Sequence, residues 1–398
     1  MSRPAGRVRA VALAVLVAAP GLAGQAGPDL RGYALGLAAH VDDGPSGPGG
    51  AHLFGRLRLM PSVPAGPVTF DAAWEQLLVR VPEGFASAGL VPGASPTRST
   101  DWLDLDGVVR RGERTTWTHR LDRLSVAWDA GRISLTVGRQ AISWATTLFL
   151  TPADPFAPFD PSDPFREYRG GVDAVRVRAF PGPFSEVELV LRGAGTVDGD
   201  RLTAVARAQT SRGGWAFGGW GGWVHEEGAA AVFVSGALGS SAVRAEATVR
   251  ETPDDGGATF RSAVGLDRNA VLSGRDVYAI VELQYDGFGA DRASDLLEVI
   301  VSKPYSRGEL QTLSTWMGMA RISVQAHPLV SLDGLVLTSL SDRSALVAPG
   351  VAWSATGSAT VRVGAYLGVG PDRVDASGPA SGYGPLPRVL YASLAWFF

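Results

Sequence analysis

The sequence has no cysteine, a single lysine and no long apolar run beyond its first residues. Without cysteine, none of its 398 residues can join a disulfide framework or a thiolate metal site. Of 36 lysines and arginines only Lys303 is lysine, so nearly all positive charge is guanidinium. No segment after the start reaches the roughly 18 consecutive apolar residues that mark a spanning helix. Helical periodicity is scarce throughout. The five histidines (His40, His52, His119, His225, His327) show no ligand spacing. Asp254-Asp255-Gly256-Gly257 and the stretch from Asp101 to Asp106 lack the full spacing of a calcium loop, so neither a metal nor a cofactor is expected. A formal charge of −3 excludes a basic nucleic-acid binder.

What is present begins with a leader. Arg3, Arg7 and Arg9 precede an apolar stretch from Ala10 to Ala19, then Pro20 and small residues to Ala26. This pattern predicts a signal peptide over 1–24, cut between Ala23 and Ala26, because the apolar part is short for a spanning helix. Losing those three arginines moves the formal charge from −3 to −6. At the other end, Leu390, Ala392, Leu394, Trp396 and Phe398 form one apolar row of a strand. Terminal segments of water-soluble domains are usually polar and loosely held. This one resembles the C-terminal assembly signal of Gram-negative outer-membrane β-barrels, carried by Leu394, Trp396 and Phe398. The resemblance implies recognition by the barrel-assembly machinery and contact with outer-membrane lipid.

Between the ends the chain alternates. Ile133, Leu135 and Val137 interleave with Ser134, Thr136 and Gly138, and Val243, Ala245, Ala247 and Val249 with Arg244, Glu246, Thr248 and Arg250. Such dyads fit rows facing lipid and lumen by turns. About 18 candidate strands follow, at 31–42, 51–62, 67–80, 117–128, 132–144, 170–180, 184–195, 201–211, 214–225, 228–237, 240–252, 258–268, 274–287, 309–326, 329–341, 343–354, 357–369 and 386–398. Connections after even-numbered strands are tight, whereas the long ones, 81–116, 145–169, 288–308 and 370–385, all follow odd-numbered strands. That asymmetry is the one expected of extracellular loops and periplasmic turns. The fold class expected is therefore all-β: a transmembrane antiparallel up-and-down β-barrel of about 18 strands, or 16 if two weak segments are loop, occupying 25–398 as a single domain.

One internal stretch is distinctive. Val137-Gly138-Arg139-Gln140 and Ser143-Trp144 lead into Thr151-Pro152-Ala153-Asp154-Pro155 and on to Asp160-Pro161-Ser162-Asp163-Pro164-Phe165, then Arg166-Glu167 and Gly171-Val172-Asp173-Ala174. Over roughly 40 residues this resembles a loose group of porin-like barrels that includes the alginate-export and carbohydrate-selective porins. Ala145 stands where glycine is expected after the tryptophan. Independently, five prolines from Pro152 to Pro164 forbid helix and central strand and stiffen the segment. A rigid loop of that length is usually functional, and 145–169 is expected to fold into the lumen as a constriction. Its candidate residues are Asp154, Asp160, Asp163, Arg166 and Glu167. An outward loop packed on its neighbours is the alternative.

Parity names the lumen. Arg176, Arg178, Arg207, Arg244, Arg321, Arg362, Glu186, Glu188 and Glu282 lie between apolar neighbours on their strands. A charge on the lipid face costs about 2–4 kcal/mol at mid-membrane, so these should point inward. Arg139 falls on the Val137 face by simple alternation, and a bulge near Gly138 would turn it inward. Arginine rows can hold anions or sugar hydroxyls, or simply pair with acids across strands. The function expected is an outer-membrane porin-like channel for passive diffusion of small hydrophilic solutes, with oligomers possible. The alternatives are a structural or assembly-related barrel with a plugged lumen and, further off, a barrel enzyme. For the last, no linked nucleophile and base is legible.

Overall fold

The computed structural model describes residues 27–398 apart from 46, 84–99, 157–167, 197, 253–255 and 376–377. The leader at 1–24 and the loop candidates Asp160, Asp163, Arg166 and Glu167 lie outside the described residues.

The chain runs through β1 (Asp29–Val41), β2 (Gly50–Ala65), β3 (Val68–Arg80), a short β4 (Asp106–Arg111), β5 (Thr115–Asp129), β6 (Ile133–Gln140), β7 (Val172–Gly182) and β8 (Ser185–Thr196). It continues through β9 (Gly199–Arg212), β10 (Trp215–Val224), β11 (Glu227–Leu238), β12 (Ser241–Glu251), β13 (Ala258–Leu272) and β14 (Arg275–Asp286). Two short helices, α1 (Leu296–Val301) and α2 (Lys303–Ser306), precede β15 (Trp316–His327), β16 (Val330–Ser339), β17 (Ser344–Thr356) and β18 (Ala359–Val369). The two-residue β19 (Val374–Asp375) and β20 (Gly378–Pro379) lead to β21 (Val389–Phe397). Among the described residues no helix is long and apolar enough to cross a membrane.

Every strand except β4, β19 and β20 belongs to a closed antiparallel wall of 18. The seam joins β21 to β1, with Tyr33 opposite Phe397 and Val41 opposite Val389. Closure leaves no sheet edge, which is what permits a sheet to sit in lipid. Turns at one end span two or three residues, such as 66–67, 130–132 and 357–358; the long connections 81–114, 141–171, 287–315 and 370–388 share the other end. The 18 segments expected from alternation each coincide with a wall strand.

Side-chain rows follow the pleat. On β8, Val187, Leu189 and Leu191 are exposed while Glu188 and Val190 are buried. On β14, Val281 and Leu283 are exposed and Ile280 and Glu282 buried. Exposed aromatics cluster near strand ends: Phe70, Trp128, Phe217, Trp353, Trp396 and Phe398 by the short turns, Trp117, Trp223, Phe260 and Trp316 by the loops. Rings at those levels suit the membrane–water boundary. Trp144 and Trp220 are buried inside.

The seam strand turns its bulky row inward. On β1 the bulky row Tyr33, Leu35, Leu37, Ala39 and Val41 points inward and is buried. The outward row holds the small residues Gly32, Ala34, Gly36 and Ala38. The inward row packs with Phe54, Ile280, Met317, Met319, Leu337, Leu346, Tyr366 and Val389. Part of the barrel interior is thus an apolar core of the kind found in water-soluble domains.

Candidate functional site: the barrel lumen

Strands β6 and β7 stop at Gln140 and Val172, short of their neighbours β5 and β8. The sequence pattern carries strand six on to 144, but the chain leaves the wall four residues earlier. Two consequences follow. The chain after Gln140 is free to turn into the barrel, and the wall needs another filler beside β5.

The filler is the segment around β4, which alternation did not reveal. β4 pairs with β5, with Asp106 opposite Arg120 and Arg111 opposite Thr116. Asp101 bridges to Ala194 of β8. Asp173 of β7 accepts the N–H groups of Trp102 and Leu103, each at 2.9 Å.

Arg139 is the centre of this patch. Its Nε and Nη2 donate to the two oxygens of Asp173 at 2.9 and 2.8 Å, and Nη1 lies 3.0 Å from Asp101 and 3.1 Å from the Leu121 carbonyl. It is fully buried. Arg139 pairs with Leu124, which is exposed on the outer face, and the β5–β6 register runs past Gly138 without a shift. The structure therefore corrects the expected lumen position: Arg139 keeps the register that alternation dictates, and its guanidinium is enclosed within the wall by Asp101, Asp173 and the Leu121 carbonyl. The bulge lies in β5 instead, where Asp122 is the extra residue opposite Ala73 and Trp74. Asp122 accepts from Arg58 at 2.7 Å and from the Gly171 N–H at 3.2 Å. Arg58 also pairs with Glu75 and lies 4.8 Å from the Tyr168 ring centre.

The chain after Gln140 folds into the lumen, and two wall carboxylates hold it. Glu246 of β12 accepts from the backbone N–H of Thr146 at 2.7 Å, Thr147 at 3.1 Å and Ala153 at 3.0 Å. Glu282 of β14 accepts from Leu148 at 2.6 Å, Phe149 at 2.9 Å and Leu150 at 2.7 Å. Bonds to a charged acceptor contribute about 1.5–3 kcal/mol each, which offsets the cost of burying the carboxylates. Gly265, opposite Glu282 on β13, makes room: a methyl there would sit 3.0 Å from Glu282 Cγ. Gln311 completes the cradle, accepting from Thr151 N–H at 2.6 Å and donating to the Phe149 carbonyl at 2.7 Å.

The two ends of the loop are anchored as well. Trp144 packs edge-on against Phe156 at 4.9 Å and beside Trp220 of β10 at 6.2 Å, and Trp220 Nε1 donates to the Ala153 carbonyl at 3.0 Å. Asp154 accepts from Ser143 Oγ at 2.7 Å and Arg169 at 3.0 Å. Prolines at 152 and 155 remove two donors from a segment whose other amides already have acceptors.

The remaining lumen candidates line the wall. Arg176 donates to Glu188 at 2.6 Å, Arg244 pairs with Asp267, and Arg321 reaches Asp333 at 3.2 Å. Arg207 lies over the Phe233 ring at 4.7 Å and donates to Gln209, which in turn donates to Glu186. Arg178 sits 5.7 Å from the Phe180 ring centre. These arginines and Arg362 are half-buried on the inward side. Glu282, by contrast, is spent on the loop.

Above the lumen, the connection from β14 to β15 is pinned by charge. Glu309 pairs with Arg250, Arg307 contacts Glu227 at 2.7 Å and Asp198 at 3.2 Å, and Arg261 binds Asp286 at 2.9 and 2.7 Å. Beneath Glu309 lies His225, in the tight turn between β10 and β11, with Nε2 3.6 Å away. Burial, reinforced by Arg192, Arg250, Arg307 and Arg201, pushes this imidazole down to about 2. Burial also works against the Arg307 charge, but the hydrogen bond and charge of Glu227, with Glu309 and Asp198, outweigh it and raise its affinity for the proton. Among the described residues no group of three His, Asp or Glu is placed to hold a metal ion.

An 18-stranded closed antiparallel wall with short turns at one end, long loops at the other and an inward-folded third loop is the fold of outer-membrane porins. Solved structures agree. The outer membrane protein OpdK of Pseudomonas aeruginosa is similar over 93% of this chain and 99% of its own, at 9% identity and a TM-score of 0.53. A BenF-like porin from Pseudomonas fluorescens matches over 94% and 98%, at 10% identity and a TM-score of 0.54. OccAB4 of Acinetobacter baumannii matches over 94% and 98%, at 8% identity and a TM-score of 0.54. At such identities the likeness is one of fold. No protein-family model matches the chain, and no curated protein sequence does.

Proposed function

We propose that this chain is an outer-membrane channel through which small hydrophilic solutes diffuse passively. The observation that carries the reading is a closed wall, apolar outside, around a lumen with half-buried arginines on its inner face. Solutes in transit would meet Arg176, Arg178, Arg207, Arg244, Arg321 and Arg362, with Glu186 and Glu188 among them. Most of these arginines already have an acid or ring partner, which argues against strong selection between ions. Residues 1–24 would direct export. Leu394, Trp396 and Phe398 would present the last strand to the assembly machinery and then face lipid. Cross-linking in native membranes would define any oligomer.

The test is swelling of liposomes that contain the purified protein, with a neutral sugar, a small carboxylate and a small amine as solutes. OpdK of P. aeruginosa has been solved with vanillate, which makes vanillate a suitable carboxylate probe. Swelling with at least one solute supports the channel. Correct insertion without swelling would favour a second reading, a plugged structural barrel, to which the apolar cluster of Tyr33, Leu35, Leu37 and Phe54 inside the wall lends weight.

A further inference from the structure

We propose that Leu148, on the inward-folded segment after β6, is the residue that decides which solutes cross the lumen, by placing an apolar step in an otherwise polar passage. This rests on the channel reading above.

The backbone geometry forces the placement. Glu246 and Glu282 draw the amides of residues 146–150 toward β12 and β14. With the amides committed to the wall, the side chains must choose between the packed interior and the open lumen. Thr147 and Leu150 take the interior and are buried; Thr147 Oγ1 closes on the Leu150 carbonyl at 2.6 Å. Phe149 packs into the apolar cluster with Arg321 5.8 Å from its ring centre. Leu148 takes the lumen: it remains 41% exposed although the backbone around it is enclosed by the barrel.

An exposed leucine on a loop held by six charged hydrogen bonds is not a loose end. Its surroundings sharpen its effect. Arg321 beside Phe149 is neutralised by Asp333, and Arg244, across Gly265 from Glu282, is neutralised by Asp267. The nearby guanidinium groups are therefore paired and the Glu246 and Glu282 carboxylates are turned onto the loop amides, while the leucine surface faces the passage without a polar group of its own. An apolar surface in the passage disfavours the water that hydrated ions must carry with them. A solute with an apolar side can shed that water at lower cost, so the step favours small amphipathic molecules over simple salts.

Single-channel recording in potassium chloride tests this, with Leu148→Asn as a polar replacement of nearly the same size, Leu148→Ala as a smaller apolar one and Leu148→Met as an apolar control. The Asn variant should conduct roughly twofold more than the wild type, Ala should fall between them, and Met should match the wild type. Equal conductance for Asn and wild type, or a larger gain for Ala than for Asn, would overturn the proposal. Leu148→Thr supplies the same contrast if the Asn variant does not insert. A wild-type protein that opens channels, with Leu148 variants unchanged, defeats this inference alone; a silent wild type defeats the channel reading and this inference together.

Discussion

The Glu282 carboxylate receives the backbone N–H of Leu150 at 2.7 Å, across 132 residues of sequence. It receives Leu148 and Phe149 as well, so one side chain orders a full turn of loop. Glutamine at this position keeps a single acceptor oxygen and turns an N–H₂ toward at least one donor. Glu282→Gln should therefore release residues 148–150 from the wall. Limited proteolysis should cut within 145–156 faster than in the wild type, with noisier channel currents. Unchanged proteolysis and current noise would show that the loop is held by something else.

Arg139 and Asp173 form a buried pair at the place where the wall is patched. Removing one member of a buried pair costs about 3–5 kcal/mol because the other charge is left without a partner. Arg139→Met leaves Asp173 with only the Trp102 and Leu103 N–H groups, while Asp101 keeps Arg120 at 2.8 Å. Its unfolding midpoint in urea should drop well below that of the wild type, while the double variant Arg139→Met with Asp173→Leu should recover part of it. Equal loss in both would argue that packing of the arginine stem, rather than charge, supports the patch.

His225 predicts an acid sensitivity. The folded protein holds its imidazole neutral down to about 2, whereas the unfolded chain takes up the proton near the ordinary histidine value of about 6.5. The unfolded state thus binds more protons between those two values, so stability is greatest above about pH 6.5 and declines as pH falls toward 2. Carboxylates contribute to the same trend, so the informative quantity is a difference. The stability-against-pH curve of His225→Gln should be flatter than that of the wild type between pH 6.5 and 4; parallel curves would remove His225 from the account.

Gly32 is required at the seam. A methyl group there would lie 2.6 Å from the Phe398 ring and 2.7 Å from the Arg58 carbonyl oxygen. Gly32 and Phe398 also exchange both backbone hydrogen bonds, at 2.8 and 3.0 Å. Gly32→Val should reduce the fraction of protein that shows the heat-sensitive gel mobility of a closed barrel, and Phe398→Ala introduced alongside should restore some of it. Full closure of the Gly32→Val barrel would mean that the ring can move aside freely.

The wall was legible because a period of two repeats along every strand and needs no knowledge of distant residues. The patch was not. Asp106–Arg111 carries no clean alternation, and nothing local marks the chain's departure from the wall at Gln140 rather than Trp144. Likewise strand fifteen begins at Trp316, since the polar stretch before it is drawn off by Arg250, Arg261 and Gln311 contacts. β1 shows the limit of parity itself: its bulky row looks lipid-facing, yet Tyr33 and Leu35 face inward because the interior there is apolar too. Glu246 and Glu282 could be placed inside from their strands, but their role depends on amides some 100 and 130 positions earlier. Leu148 had no signal at all, since an exposed leucine in a loop looks like any other.

The distance in sequence between the loop and its two acceptors sets an order of events. Residues 146–150 are synthesised about 100 residues and more before β12 and β14, which receive them. Until those strands arrive, the five amides of 146–150 and that of Ala153 lack their carboxylate acceptors and have only water in their place. The loop therefore takes its final place only after β12 and β14 are in the wall, which makes its seating a late step that depends on the second half of the chain.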